Sequence, residues 1–570
     1  MAVSGISTSA SSPGAERPFV PYFQKPNRGF KYHRQGMKKF IGSRASVRTR
    51  LLVALSLTLT LFCRPAFSQL QTVQVTGGEI QGVVKNGVAS FKGIPFAAPP
   101  IGALRWKPPQ PVKPWSGVRK ADDFGPAPMQ NRAASLLMGG WSPVSEDCLY
   151  LNVWTAATNA DEKLPVMVWI YGGGFMIGMT SVPVYDGTKL AEKGVVLVSV
   201  AYRVGPFGFL AHPELSRESG KGSGCYGLQD QVAGLRWVKD NIARFGGDPS
   251  RVTIFGESAG GASVSLLTVV PAAKGLFHRA IAESGSVMAP ARLVPLPSAE
   301  QAGQKFLAQL GATNLASARV LSAQEIQKAI KGISLGQFGP VPDGDFLPGQ
   351  PYELFDAGQF NDTPILIGIN SDEGAWFVKL AFPSATSEGF EKQVRDVFGP
   401  AAENVLRAYP HSTPAETHKS SKEVLRDWAM GWPTCAWAKL QSRKAHHPAY
   451  VYYFDHRNST SPDGAIHGAE IAYVFRNLTA WLGAPTPPLP EDVALSELMS
   501  SCWVNFARTG DPNGPGLPAW PAFDEKEMKA MVFDNTPSAR PFPNLEKLKL
   551  FDGYYASHGE KSKTSSDREK

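Results

Sequence analysis

Residues 255–261 read Phe-Gly-Glu-Ser-Ala-Gly-Gly (FGESAGG), which sets Ser258 between Gly256 and Gly260. A serine flanked in this way is either a nucleophile held on a tight strand-to-helix turn or a small residue in a flexible one. The pentad Gly-x-Ser-x-Gly does not decide by itself, because at about 7% usage for Gly and for Ser a chain of this length holds roughly 0.2 of them by chance. This chain holds two. The second, GISLG at 332–336, follows SAQEIQKAIK, where Ser322 and Glu325 have capping-box spacing and Gly332 falls where a helix C-terminal glycine belongs. Ser334 therefore reads as loop. Ser258 has a different setting, with a turn and a β-branched run (DPSRVTIF) before it and AGGASVSLLTVV after it. That order of strand, sharp turn and helix is the setting of a nucleophile elbow, which exposes Oγ above the sheet and aims a helix N-terminus at developing negative charge.

Working outward, residues 70–552 alternate β and α patterns. Continuous apolar runs at 165–171 (PVMVWIY), 195–202 (VVLVSVAY), 252–255 (VTIF) and 364–370 (PILIGIN) read as buried strands of a mostly parallel sheet. In QVAGLRWVKDNIARF, Leu235, Val238, Ile242 and Phe245 share one helical face, and the following GGDP stops the helix. The Pro- and Gly-rich patches at 93–109 and 335–351 read as loops within one domain. The first run ends in YGGGF (171–175). Three glycines after a buried strand let backbone N–H groups turn toward a substrate, so Gly173, Gly174 and Ala259 are the expected oxyanion donors; the plain alternative is a flexible turn.

The 570 residues are 43% hydrophobic and 19% charged, enough for a large core and too apolar for a disordered chain. The formal charge of +9 is uneven: residues 1–68 carry eleven Lys or Arg against Glu16 alone, a net of +10, which leaves −1 for the rest. The body thus offers no phosphate-binding surface and no nucleic-acid partner is expected. The leader has a basic stretch, the apolar LLVALSLTLTLF (51–62) and small residues around Ala66-Phe67-Ser68. Twelve apolar residues suit a secretory signal and are too few to span a bilayer. Export, to the periplasm or outside, with cleavage near Ser68/Gln69 is expected, and no stable membrane span in the mature chain; an uncleaved interfacial anchor and lipid modification of Cys63 are the alternatives. Met37-Lys38-Lys39 offers a second start. Residues 556–570 form a charged tail expected to be disordered.

Eight blocks in order, FKGIPFAAPPIGALRW (91–106), SEDCLYLNVW (145–154), YGGGF, YRVGPFGFL (202–210), FGGDPSRVTIFGESAGGAS (245–263), NSDEG (370–374), HGAEIAYVF (467–475) and FARTGDPN (506–513), run across nearly the whole mature chain. In these the sequence resembles the type-B carboxylesterases, which include carboxylesterases, cholinesterases and bile-salt-activated lipase. The resemblance implies an α/β-hydrolase fold over 69–555: a large, mostly parallel, twisted sheet flanked by helices, with loop and helical insertions around an active-site gorge. It selects Glu373 over its neighbour Asp372 as the acid and His467, among ten histidines, as the base, in the chain order Ser258, Glu373, His467. A secreted serine esterase working through an acyl-enzyme on small-molecule esters is implied, with no metal and no cofactor. HExxH, paired CxxC and P-loop patterns are absent from the sequence.

Departures from the family pattern bear on details. Pro128 stands where the disulfide partner of Cys148 is expected, so Cys148 reads as a buried thiol, and among Cys148, Cys225, Cys435 and Cys502 three complete pairings stay open. Phe338 aligns with a region that lines the acyl pocket in relatives and reads equally as packing. Glu257 is expected either to bind cationic substrate or to cap the helix after Ser258. Trp141 lies too near SEDCLY to match the tryptophan of the cholinesterase choline site. The alternatives to a general carboxylesterase are a lipase or specialised polyester or toxin esterase, and a noncatalytic binding protein on the same scaffold. Oligomeric state is open.

Overall fold

Each of the four apolar runs becomes a buried strand of one sheet. The computed structural model describes residues 70–557 and 559, apart from 132–135, 137–138, 141, 331–336, 384–385 and 481–486. The expected export signal, Trp141, the GISLG loop and most of the charged tail lie outside the described residues. The chain divides into Met1–Ala66 and Phe67–Lys570, and every described residue falls in the second unit.

Among the described residues the large sheet has eleven strands: β1 (Val83–Lys85), β2 (Val88–Pro95), β3 (Tyr150–Thr155), β4 (Leu164–Ile170), β5 (Val196–Val200), β6 (Gly247–Glu257), β7 (Arg279–Glu283), β8 (Ile365–Asn370), β9 (Ala449–Phe454), β10 (Lys529–Phe533) and β11 (Ser538–Pro541). Their order across the sheet is β1-β2-β3-β5-β4-β6-β7-β8-β9-β10-β11. The seven from β5 to β10 are parallel, and antiparallel pairs close both edges. Parallel neighbours need crossover segments that cover both faces, which is why the central strands are continuous apolar runs and carry no alternation.

Two helices matter most for the site. In α1 (Tyr226–Asn241), continued by a 3₁₀ turn over Ile242–Phe245, the stripe of Leu235, Val238, Ile242 and Phe245 is buried as its spacing predicts, and Gly246 ends it at φ +76°. The second, α2 (Ala259–Leu267), follows β6 directly and is buried all round, so its small residues are a packing requirement. The Pro/Gly patch at 93–109 is not all loop, because β2 runs on to Pro95. Described residues 337–350 contain neither helix nor strand. A satellite core around Phe390, Val394, Phe398 and Phe551 sits among the helices that follow β8, the helical insertion the resemblance implies.

The four cysteines are all buried and unpaired, so none of the three pairings occurs. Burial pushes the Cys148 thiol well above its ordinary range, and Cys225 Sγ donates to Val341 O at 3.0 Å. No described helix is long and apolar enough to cross a membrane.

The register of the central strands aligns their C-terminal ends. Ile170 pairs with Gly256, Gly256 with Ala282 and Glu283 with Gly368, so the chain leaves β4, β6, β7 and β8 along one rim. At that rim α2 packs directly on the backbone of β4, and a Cβ on Gly260 would lie 1.9 Å from Ile170 O. Gly260→Ala is expected to destabilise the fold by about 2–3 kcal/mol through this overpacking, read as a lower urea midpoint at unchanged slope; an unshifted midpoint would contradict the close approach.

Candidate active site

Ser258 is the hinge between β6 and α2, and its backbone sits at φ 56°, ψ −122°. For a residue with a Cβ such a conformation costs about 1–3 kcal/mol and persists only where the surroundings hold it. Ser258 N donates to Glu283 O at 2.9 Å, and Ser258 O accepts from Ala262 N at 2.8 Å. Crowding does the rest: a Cβ on Gly172 would stand 2.9 Å from Ser258 Cβ, and one on Gly285 would stand 2.3 Å from Ser258 O.

The turn after β4 brings the triple glycine beside this hinge. Gly173 adopts φ +114°, where a Cβ would meet Ile177 O at 2.3 Å, and Gly174 adopts φ +62°. Gly173 O accepts from the N–H groups of Met176 and Ile177, each at 3.1 Å, which folds the turn back on itself. Among the described residues the N–H groups of Gly173, Gly174 and Ala259 have no protein acceptor.

Glu373 opens α3 (Gly374–Ala381), directly after β8, and is 1% exposed. Its Oε1 accepts from Asn370 N at 2.8 Å, and its Oε2 meets His467 Nδ1 at 2.5 Å. His467 lies in the loop between β9 and α4 (Glu470–Val474), and backbone contacts clamp that loop to the end of β8. Asp372 N donates to Ala465 O, Ala465 N to Ser371 Oγ and Asn370 Nδ2 to Ile466 O, all at 2.8 Å. Phe377 sets its ring edge-to-face with the imidazole at 4.9 Å. Asp372, the neighbouring acid, turns away to Lys422 Nζ at 2.8 Å.

On its other side, His467 Nε2 lies 3.0 Å from Glu257 Oε1, close enough for an ion pair but without hydrogen-bond geometry. Both atoms are buried and have no hydrogen-bond partner among the described residues. Burial pushes the imidazole pKa down, but the carboxylates of Glu257 and Glu373 outweigh it and hold the pKa well above the ordinary histidine value. Glu257 thus neither caps α2 nor lines the cavity before Ser258; its side chain is buried against Gly172 and the imidazole. Both sequence expectations for it are corrected, because the last residue of a central strand points into the packed rim.

Two further buried glutamates, which the sequence reading assigned no role, stand behind this group. Glu470 follows His467 by three residues, bonds Asn370 Nδ2 and faces Ser284 Oγ at 3.4 Å, while Glu283 Oε1 accepts from Trp503 Nε1 at 2.8 Å. Burial, reinforced by Glu257 and Glu373, raises Glu470 to about 8; burial and Glu470 raise Glu283 well above the carboxylate range. The hint for Glu470 was its helical spacing from His467; a five-residue run, RAIAE, gave none for Glu283.

A cavity of about 560 Å³ opens over Ser258, with Gly174, Ala259, Phe175 and Phe338 in its wall. Phe338 lines the cavity and packs edge-to-face on Phe306, ring centroids 5.0 Å apart. Among the described residues no three His, Cys, Asp or Glu side chains are grouped to hold a metal ion.

The chain matches the model of the carboxylesterase family over residues 69–551. It is 37% identical to the para-nitrobenzyl esterase of Bacillus subtilis (strain 168) over 84% of this chain and 98% of that protein. It is 37% identical to the fumonisin B1 esterase of Sphingopyxis macrogoltabida over 80% of this chain and 85% of that protein. Among solved structures, a PNB esterase superposes with a TM-score of 0.75 at 36% identity, covering 84% of this chain and 99% of that one. The sheet and its helices are therefore the α/β-hydrolase fold.

Asn370 joins the two loops of the site, bonding both Ile466 O and Glu470. Asn370→Ala leaves two buried acceptors without a donor, and a loss of about 2–3 kcal/mol is expected, with faster amide exchange confined to 465–469. Exchange there at the unaltered rate would mean that the loop is held by something else.

Proposed function

This chain belongs to the carboxylesterase family and is a carboxylic ester hydrolase, and from that premise we propose that it acts through Ser258, His467 and Glu373 with an acyl-enzyme intermediate. The observation that carries the reading is the 2.5 Å contact of Glu373 with His467 Nδ1, which leaves Nε2 buried, unbonded and 3.0 Å from the residue next to Ser258. His467 Nε2 takes the proton of Ser258 Oγ as the oxygen attacks the ester carbonyl, while Glu373 holds the imidazole in the tautomer that leaves Nε2 free. The tetrahedral oxyanion is received by the unspent N–H groups of Gly173, Gly174 and Ala259; removing one such donor in other enzymes costs about 3–4 kcal/mol. His467 then passes its proton to the leaving alcohol. Water, deprotonated by the same nitrogen, releases the acid and restores the serine.

A noncatalytic scaffold has no use for a strained serine beside amide donors that have no acceptor among the described residues. The basic leader and its apolar stretch support export, with cleavage near Ser68/Gln69.

Ser258→Ala is expected to lower kcat on p-nitrophenyl acetate or butyrate by about 10⁴-fold or more, and Glu373→Gln by a similar factor, with urea midpoints near wild type for the former. Serine-independent turnover would end the proposal. Running the same assay from acetate to palmitate separates a lipase, which prefers long chains at an interface.

The base must be neutral, so kcat/KM should rise with pH through the raised pKa of His467. Glu257→Gln removes a negative charge that favours the imidazolium, so the acid limb should move to lower pH. Protonated His467 also adds stability that is fully present below its unfolded pKa of about 6.5 and lost as pH rises through the folded one. An unmoved limb would show that Glu257 does not act on the base.

A further inference from the structure

Among the described residues the wall of the cavity over Ser258 contains a single charged side chain, Arg292; around it lie Phe209, Leu293, Val294, Phe338 and Met430. Arg292 sits on the segment between β7 and the helix Leu296–Gln309, and it is partly buried. Its Nη2 donates to Ala429 O at 3.3 Å, which spends one of the five N–H bonds of the guanidinium. No carboxylate among the described residues lies within ion-pair distance of it. Glu353 accepts from Ala291 N at 3.4 Å.

The backbone on either side of Arg292 is pinned. Leu293 N donates to Gln350 Oε1 at 3.0 Å and Gln350 Nε2 returns to Leu293 O at 2.8 Å, with the Ala291 contact on the other flank. An arginine on an anchored loop, with most of its donors unspent and apolar walls around it, is poised for a bidentate carboxylate. Its geometry is set in advance, and the surrounding low dielectric strengthens the pairing.

We infer that Arg292 makes this enzyme select esters whose acid or alcohol part carries a second, free carboxylate. The inference rests on the esterase reading of Ser258 and names the substrate class of that same site. A neutral ester gains from the apolar wall alone. One with a carboxylate at the right reach also satisfies the guanidinium, and an ester bearing an ammonium group is repelled.

The test uses two pairs of esters that differ only by a carboxylate in place of a methyl group. Monoethyl adipate against ethyl hexanoate puts the charge on the acid side; 4-(hexanoyloxy)butanoate against butyl hexanoate puts it on the alcohol side. The quantity read is the ratio of kcat/KM within each pair, by chromatography of the released alcohol. In wild type the ratio should fall as salt is raised from about 0.05 to 0.5 M, since the pair remains partly open to solvent. In Arg292→Gln it should fall about 10- to 100-fold for the side that reaches the guanidinium, and Arg292→Lys should restore part of it. Residual turnover of the neutral ester reports that each variant is folded. Ratios that are the same in wild type and Arg292→Gln for both pairs would overturn the inference while leaving the esterase intact. Absence of Ser258-dependent turnover of either neutral ester would instead defeat the esterase reading, and this one with it.

Discussion

The site depends on a steric constraint at one rim of the sheet: backbone segments from β4, β6 and β7 meet with no room for side chains between them. Ile170 O would stand 1.9 Å from a Cβ on Gly260 and 2.5 Å from one on Gly256, and Ser258 O is as tightly flanked by Gly285. Because those contacts are backbone against backbone, no rotamer change relieves them. The chain can pass from β6 into α2 only by the sharp route that leaves Ser258 at φ 56°. Strain at the serine is therefore sustained by packing elsewhere, and the same crowding that fixes its backbone leaves the N–H of Ala259 beside the glycine turn without an acceptor. The parallel register makes this reproducible, since it sets the exits of four strands side by side.

Behind that rim the electrostatics are arranged in depth. Four glutamates, Glu257, Glu283, Glu373 and Glu470, are each at most 5% exposed. Four full negative charges in so small a volume would be prohibitive, and burial raises the pKa of Glu283 and Glu470 so that both favour the neutral acid. The two that face the imidazole are Glu257 and Glu373. Burial, reinforced by the same four glutamates, pushes the pKa of Tyr452 well up, and its hydroxyl is unpaired among the described residues. The balance between desolvation and two carboxylates on His467 is thus set by residues that never reach the substrate.

Much of the centre was legible in the sequence because the physics there is local. A parallel strand buried on both faces must be a continuous apolar run, and four such runs at 165–171, 195–202, 252–255 and 364–370 proved to be β4, β5, β6 and β8. The elbow was legible from order alone, turn, strand, small residues, helix. The strands that went unread have mixed signatures: RAIAE in β7 is short and bounded by charge, and AYVYYF in β9 is tyrosine-rich and hydroxyl-bearing. VASFKGIP, β2, ends in the very proline and glycine that marked its neighbourhood as loop. Glu257 was misread for a related reason. Its place at the end of a strand was visible, but which way its carboxylate turned depends on Gly172 and His467, one 85 residues before it and the other 210 after. Pairings of that range, like Asp372 with Lys422 or Glu283 with Trp503, carry no mark in the local pattern.

Each nitrogen of the imidazole faces a carboxylate, Nδ1 that of Glu373 and Nε2 that of Glu257. The cavity over Ser258 has Gly174 and Ala259 in its wall, and among the described residues its one charged wall side chain is Arg292. In the proposed mechanism, moving a proton from Ser258 to His467 places positive charge between the two carboxylates and leaves negative charge beside the N–H of Ala259. Both displacements run with the fixed field, so the dipoles need no reorganisation as charge separates. On the proposed reading of Arg292, the same cavity also sorts what enters, favouring groups that carry negative charge toward the guanidinium and leaving the apolar wall to hold the remainder of the ester.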